Sequence, residues 1–406
     1  MLSVEQARAY VLERIETLPL VDVTLQESWG LVAAQDILAR APLPRFDNSA
    51  MDGYAIRSAD VALADASQPV QLTIAGEVRA AMGTPPALER GQAIRIATGA
   101  GLPAGADAVV PIEEIEETGG RISVKQPASP GKHIRRTGED LETGDVAIPR
   151  GVSLGAGELA LLAALGQDRV QVRRRPRVSV LVTGDELVPP DEEAGPGQIY
   201  DSNSTAMETL VREAGAEVIL REQVADTADA TASALARAGR SSDIVVCCGG
   251  VSVGPYDLVK SAVADAGTVD HWRVAMQPGK PVVIGNVGEV PFLGLPGNPV
   301  SVHVTFEQFV RPALKKMSGH TSLLRPRIQA RLTQPIHAPS GRRRFVRVRL
   351  SPGEANRWDA TPTGAQGSHI QSSLVNCHGV AIVPEDREGA EIGAVLTVEV
   401  WRLPET

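Results

Sequence analysis

The sequence predicts a multidomain α/β and β protein: a central three-layer α/β domain, a β-rich inserted domain, a small helical domain and a C-terminal β-barrel or sandwich. Three observations carry this reading. Short apolar runs alternate with helical spacing from Arg177 to about Val304. A stretch dense in Gly and Pro, from Ala41 to about Gly144, separates two segments of helical character. From Arg325 onward strand patterns dominate. A chain of 406 residues has room for two to four domains at roughly 100–200 residues each. The expected division is 1–43 with 145–176 (helical), 44–144 (β-rich), 177–324 (α/β) and 325–406 (β).

Taken in order, Ser3-Val-Glu-Gln6 has the form of a capping box, with Val4, Ala7, Val11 and Ile15 on one helix face. In the β-rich stretch, 70–74 and 121–124 alternate as strands, and 157–165 restores helical spacing. Arg173-Arg-Arg-Pro-Arg177 reads as a solvated basic linker into the α/β domain; it lacks the interleaved aromatics of a nucleic-acid patch. Strand 178–182 ends in Thr183-Gly-Asp-Glu-Leu187. Asp201-Ser-Asn-Ser204 opens a helix bearing Met207, Leu210, Val211 and Ala214, closed by Gly215. Strand 217–220 and helix 227–238 follow. Asp243-Ile-Val-Val-Cys-Cys248 is a buried-strand run that stops at Gly249-Gly-Val-Ser-Val-Gly254. Pro255 then suits a first helical turn, and Gly267 the close of that helix. The pattern repeats at Val290-Pro-Phe-Leu-Gly294, with Leu295-Pro-Gly-Asn298 as the turn, Asn298 as cap and Pro299 opening a helix that kinks or stops at Pro312. Strands 328–332, 345–350, 380–383 and 395–400 build the C-terminal unit, the second with a basic outer face from Arg343, Arg347 and Arg349.

Composition narrows the function. Lys+Arg 40 against Asp+Glu 49 gives a net charge of −9, which disfavours non-specific nucleic-acid binding. The three cysteines lack metal-ligand spacing and read as reduced core thiols. No leader pattern or membrane-length apolar run is present, so the expectation is a cytoplasmic protein with no membrane partner.

Two helix starts at strand ends, with Lys280 in Gln277-Pro-Gly-Lys-Pro281 between them, suit a phosphorylated ligand. The acidic candidates Asp52, Asp140, Asp185, Glu186, Asp201 and Asp257 each sit beside Gly, Ser or Thr, where one carboxylate alone is usually a turn residue or cap. Several of them facing phosphate-ready turns need a cation between, which implies Mg²⁺. There is no GxxxxGK[ST] and no GxSxG, and Gly249–Gly254 is not GxGxxG. Ser252 lacks His–Asp partners and is read as a phosphate-binding hydroxyl. His271, His303 and His320 have no ligand spacing.

Pro44-Arg-Phe-Asp-Asn-Ser-Ala-Met-Asp-Gly-Tyr-Ala55, Arg95-Ile-Ala-Thr-Gly-Ala100, Gly138-Glu-Asp140, Thr183-Gly-Asp-Glu-Leu187, Gly249-Gly-Val-Ser-Val-Gly254, Pro278-Gly-Lys-Pro281 and Leu295-Pro-Gly-Asn-Pro-Val-Ser301 stand in this order. Together they resemble the molybdopterin molybdenumtransferases, the family that includes the C-terminal part of gephyrin. The resemblance implies an α/β domain that binds molybdopterin. It implies a homodimer whose Asn48–Ala55 region completes the partner's site, and contact with the adenylyltransferase that supplies the substrate. The implied reaction is adenylylated molybdopterin plus molybdate giving molybdenum cofactor and AMP, assisted by Mg²⁺. Asp52, Asp140, Asp257 and Lys280 would be catalytic. Thr98, Thr183, Gly184, Glu186, Gly249, Gly250, Ser252, Pro296, Gly297, Asn298, Pro299 and Ser368 would bind substrate, and Asp257, Glu186 and Asp52 the metal. Gln277 stands where many members carry Lys, and Pro255 where many carry an acid or a small residue. A catalytically silent molybdopterin-binding scaffold and a nucleotide pyrophosphatase are the alternative readings.

Overall fold

A six-stranded sheet forms the middle of the α/β domain, in the order Glu217–Val224, Arg177–Thr183, Ile244–Cys248, Val290–Leu295, Pro281–Val287, Gly267–Arg273. The first four strands are mutually parallel, and the last two join the sheet through antiparallel pairings. The computed structural model describes residues 1–80, 83–250, 258–337 and 339–404. The chain runs from Arg177–Thr183 outward to Glu217–Val224 and crosses back to Ile244–Cys248, so strand order reverses between the first and last of these. Loops leaving the carboxyl ends diverge there and open a crevice.

Both faces of the sheet are covered, which explains the unbroken apolar runs. Val178, Val180 and Val182 pack with Met207, Leu210 and Val211 of the Ser202–Glu213 helix. Leu181 points the other way, to Ala234, Leu235 and Ala238 of the Ala228–Ser241 helix. Cys247 and Cys248 divide between the same two layers as buried thiols outside any disulfide.

Two expected helix boundaries fall differently. Gly267 does not close a helix but starts the Gly267–Arg273 strand. A Cβ there would lie 2.2 Å from the Asn286 carbonyl oxygen, so close strand approach is its reason. At Pro312 the helix neither stops nor simply kinks: Pro299–Thr305 passes into a π-helical turn, Phe306–Val310, before Arg311–Met317. The Gln308 carbonyl, four residues before the proline, instead accepts from Arg8 Nε at 3.0 Å.

The flanking units also depart in detail. The Val4–Glu13 helix has its capping box, with Ser3 Oγ accepting from Gln6 N at 3.1 Å. Its apolar face joins the α/β core, in one cluster with Phe309 and Leu314. The small helical unit keeps one helix, Ala156–Ala164, beside a three-stranded sheet of Leu20–Thr24, Arg169–Arg173 and Val32–Ala33. The arginines before the α/β domain are not a solvated linker. Arg174 forks onto Asp243 at 2.6 and 2.7 Å, Arg173 donates to the Leu18 carbonyl and Arg175 to that of Trp29.

In the β-rich module Val70–Val78 pairs with Arg121–Val124, the two alternating runs, inside a six-stranded sheet. The C-terminal unit is a barrel: Arg343–Pro352, Trp358–Pro362, Arg327–Leu332, Val395–Val400 and Gly379–Val383 close through pairing of the first with the last. Its second strand lacks the expected basic outer face, since Arg347 is fully buried and Arg343 pairs with Glu385 and Glu5. No helix among the described residues is long and apolar enough to cross a membrane.

Candidate active site

A cleft of about 930 Å³ lies at the switch point, walled by the carboxyl ends of the parallel strands and by the barrel. Its floor is main chain. Gly249 has φ +89°, and a Cβ there would sit 2.6 Å from the Thr183 carbonyl oxygen; Gly250 has φ +61°, with Thr183 Oγ1 at 3.0 Å from its would-be Cβ. Only glycine fits both demands, so the backbone lies open to a ligand. Glu186 stands beside Gly184 on the same wall.

The barrel closes the cleft through Ser368. Its carbonyl accepts from Val300 N at 3.1 Å, and its hydroxyl accepts from Asn298 Nδ2 at 3.1 Å. Asn298 occupies the N-cap position yet makes no side-chain cap, because its amide is turned to the serine. The Ser368 loop is held by Arg347, whose guanidinium donates to the carbonyls of Ala365, Gln366 and Gly367, each at 3.2 Å, and to Ser373 Oγ at 2.9 Å. No carboxylate is among those partners, and burial pushes the Arg347 pKa down to about 10.

Lys280 and Arg342 both line the cleft, and neither has an ion-pair partner among the described residues. Glu186, Asp201 and Asp226 line it as well. Asp201 accepts from Ser204 N at 2.9 Å and caps the Ser202–Glu213 helix. Asp226 and Asp185 exchange backbone-to-carboxylate bonds at 3.0 and 3.3 Å. Asn203 donates to the Gly297 carbonyl at 2.7 Å, while its buried Oδ1 has no partner among the described residues.

Of the residues expected from sequence, Thr183, Gly184, Glu186, Gly249, Gly250, Lys280, Pro296, Gly297, Asn298, Pro299 and Ser368 come together here. Ser252 and Asp257, with Pro255, lie outside the described residues. Asp52, Thr98 and Asp140 do not line the cleft. Asp52 Oδ1 accepts from Thr98 N at 2.7 Å and Thr98 Oγ1 at 3.0 Å, which holds the exposed carboxyl below its usual pKa. Asp140 sits in the adjoining turn, its N donating to the Leu43 carbonyl at 3.0 Å.

Sequence reasoning missed Asn203, Asp226 and Arg342. Asp226 lies two residues past the carboxyl end of the Glu217–Val224 strand, the kind of position that singled out Thr183 and Gly249. Arg342 reaches the cleft from the barrel, where Met276–Gln277 pairs with Arg343 and Arg344, and no local pattern announces that.

A multidomain α/β protein with its ligand cleft at the carboxyl edge of a doubly wound sheet is the class that fold and site define. Three family models match in series: "MoeA N-terminal region (domain I and II)" over residues 2–166, "Probable molybdopterin binding domain" over 179–316 and "MoeA C-terminal region (domain IV)" over 329–401. The chain is 38% identical over 409 residues to molybdopterin molybdenumtransferase 2 of Mycobacterium tuberculosis, covering 99% of this chain and 100% of that one. It is 36% identical over 402 residues to the molybdopterin molybdenumtransferase of Haemophilus influenzae, covering 98% of each. A crystal structure of the molybdopterin biosynthesis MoeA protein from Pyrococcus horikoshii superposes with a TM-score of 0.85 at 33% identity, covering 99% of both chains. The chain belongs to the molybdopterin molybdenumtransferase (MoeA) family, and it is a transferase of molybdenum-cofactor biosynthesis.

Proposed function

We propose that the chain inserts molybdate into adenylylated molybdopterin and releases AMP, with Mg²⁺ assisting and an adenylyltransferase supplying the substrate. The observation that carries this is two cations without an ion-pair partner among the described residues, Lys280 and Arg342, in one cleft with open glycine backbone and carboxylates. An oxyanion takes a guanidinium as a fork and an ammonium as a point charge, so the pair suits molybdate or phosphate. Arg342 adds a positive charge to the wall that carries the neutral Gln277.

No three His, Cys, Asp or Glu among the described residues converge as a metal cage. Mg²⁺ needs less: it keeps several waters and takes one or two carboxylates plus substrate phosphates. Glu186 and Asp226 are hard oxygen donors of that kind in the cleft, and Asp257 and Asp52 are the further candidates. When bound, the ion would offset the charge of the phosphoanhydride. The chain's own residues bind and orient: Lys280 and Arg342 hold the anionic groups, and the glycine turn lets a phosphate approach main-chain N–H groups. Asp52, Asp140 and Thr98 would enter from a second copy, in a homodimer.

The test is AMP release by the purified protein under reducing conditions with Mg²⁺. Release should require molybdate, stop with chelator, and fall roughly ten- to hundredfold in kcat/KM in Lys280→Ala, the range for one charge-assisted hydrogen bond. Binding of the adenylylated compound without cleavage would leave the scaffold reading in its place.

A further inference from the structure

Away from the cleft, the Arg311–Met317 helix ends in a glycine cap that brings two basic side chains together. Gly319 has φ +81° and its N donates to the Lys316 carbonyl at 2.9 Å, while His320 N donates to the Lys315 carbonyl at 3.0 Å. This is the Schellman arrangement, in which the side chains at the Lys315 and His320 positions meet and are ordinarily apolar. Here Lys315 Nζ lies 3.3 Å from His320 Nε2, and both residues are partly exposed. Arg311 precedes Lys315 by one turn on the same helix face, a like-charge pair that repels. Arg325 is a further cation, and it already occupies both oxygens of the buried Glu307 carboxylate. Glu213 reaches only Arg325, at 3.9 Å, and no carboxylate lies within ion-pair distance of Lys315 among the described residues. Burial, with Arg311 and Arg325 adding to it, pushes the Lys315 pKa down to about 8. About a fifth of the amine is then free near pH 7.4, against roughly a thousandth at the ordinary 10.5. Burial likewise lowers the His320 pKa to about 4, leaving a neutral ring with one N–H.

These surroundings penalise a cation at Nζ and favour an anion in its place. We propose that Lys315 is a carbon dioxide site: its amine adds CO2 as a carbamate whose carboxylate faces Arg311 and accepts from the His320 ring N–H. The free amine attacks the carbon of CO2. The N–C bond forms, one C–O π pair becomes a carboxylate lone pair, and the extra proton on nitrogen leaves to water. The repelling Arg311–Lys315 pair thereby becomes an attracting one. Other lysines lack this setting. Lys125 and Lys132 are ion-paired with Glu116 and Glu114, Lys316 donates to the Leu12 carbonyl at 2.7 Å, and Lys280 faces the cleft. The site stands apart from the function proposed above and does not depend on it.

Chemical trapping tests it. The full chain is equilibrated with isotopically labelled bicarbonate near neutral pH, the carbamate is fixed as its ethyl ester with a trialkyloxonium salt, and the peptides are read by mass spectrometry. Label should collect at Lys315 tenfold or more above Lys125 and Lys316. Lys315→Arg, which keeps the charge without a free amine, should abolish it. Arg311→Gln should lower occupancy at Lys315 several-fold by removing the cation that faces the carboxylate. Arg311 also donates to the Leu323 carbonyl, so a second variant covers a loss of folding. His320→Leu restores the apolar contact usual at such a cap and removes the ring N–H, and it should lower occupancy as well. Absence of label at Lys315, equal labelling of Lys125 and Lys316, or unchanged occupancy in the folded variants would overturn the proposal.

Discussion

At the residue scale, His303 is the side chain whose surroundings make a pH claim. Packing against Trp401 desolvates the ring, and Arg325 and Arg402 add to the depression while Glu307 opposes it. The folded pKa of about 4 lies below the unfolded value of 6.5. The stabilisation is therefore complete above pH 6.5 and is lost as pH falls toward 4, amounting to about 3 kcal/mol at 1.36 kcal/mol per unit. Urea titrations across that window should show the decline, and His303→Gln should flatten it. An equal slope in the variant would assign the pH dependence to other groups. Gly249 makes the complementary point, that a residue without a side chain can be as constrained. Its positive φ and the 2.6 Å approach to Thr183 together leave no place for a Cβ.

At the element scale, the π-helical turn Phe306–Val310 ties three units together. It carries Glu307 and Gln308 into the interior, both nearly inaccessible to solvent. Glu307 takes Arg325 as a fork at 2.8 and 2.9 Å, and Arg311 Nε, otherwise unpartnered, lies 3.8 Å away. Gln308 Nε2 donates to Glu399 Oε1 at 2.7 Å on the barrel, and its amide oxygen accepts from Arg8 of the N-terminal helix. Glu307→Ala leaves the Arg311 guanidinium without its anion and Arg325 with Glu213 at 3.9 Å as its remaining ion-pair partner among the described residues, so it should cost roughly 3–5 kcal/mol, read as a lower denaturant midpoint at unchanged slope. A loss below 1 kcal/mol would show that the arginines re-solvate. This turn also marks where sequence stopped being informative. Many strands, the capping box, the glycine turns at the strand ends and Lys280 between them are local signals legible from spacing, whereas Ser368 and the substrate-binding roles of Thr183 and Glu186 are legible only through the family resemblance. The sequence signals a break only at Pro312, whereas the widened turn comes earlier, where Glu307 and Gln308 find partners 18 and 91 positions away. The same holds for the buried Arg347 and for Arg342, whose roles arise from strand pairings between units.

At the scale of the whole molecule, the expected site residues that the structure describes divide into two groups. One group surrounds the cleft; the other, Asp52, Thr98 and Asp140, is carried by the β-rich module and does not line it. If one chain held a complete site, two inactive variants could not restore each other. If the site is shared across a two-fold axis, a mixed dimer of Asp52→Asn and Lys280→Ala chains has one site with both lesions and one with neither. Random exchange makes half the dimers mixed, so about a quarter of the unaltered activity should return. The measurement is molybdate-dependent AMP release from co-expressed, differently tagged chains, with each variant alone as the baseline. Purification through both tags should raise the recovered fraction to about a half, one intact site per dimer. Activity no higher than the two baselines would place Asp52 outside the shared site and leave the cleft to act with the residues of a single chain.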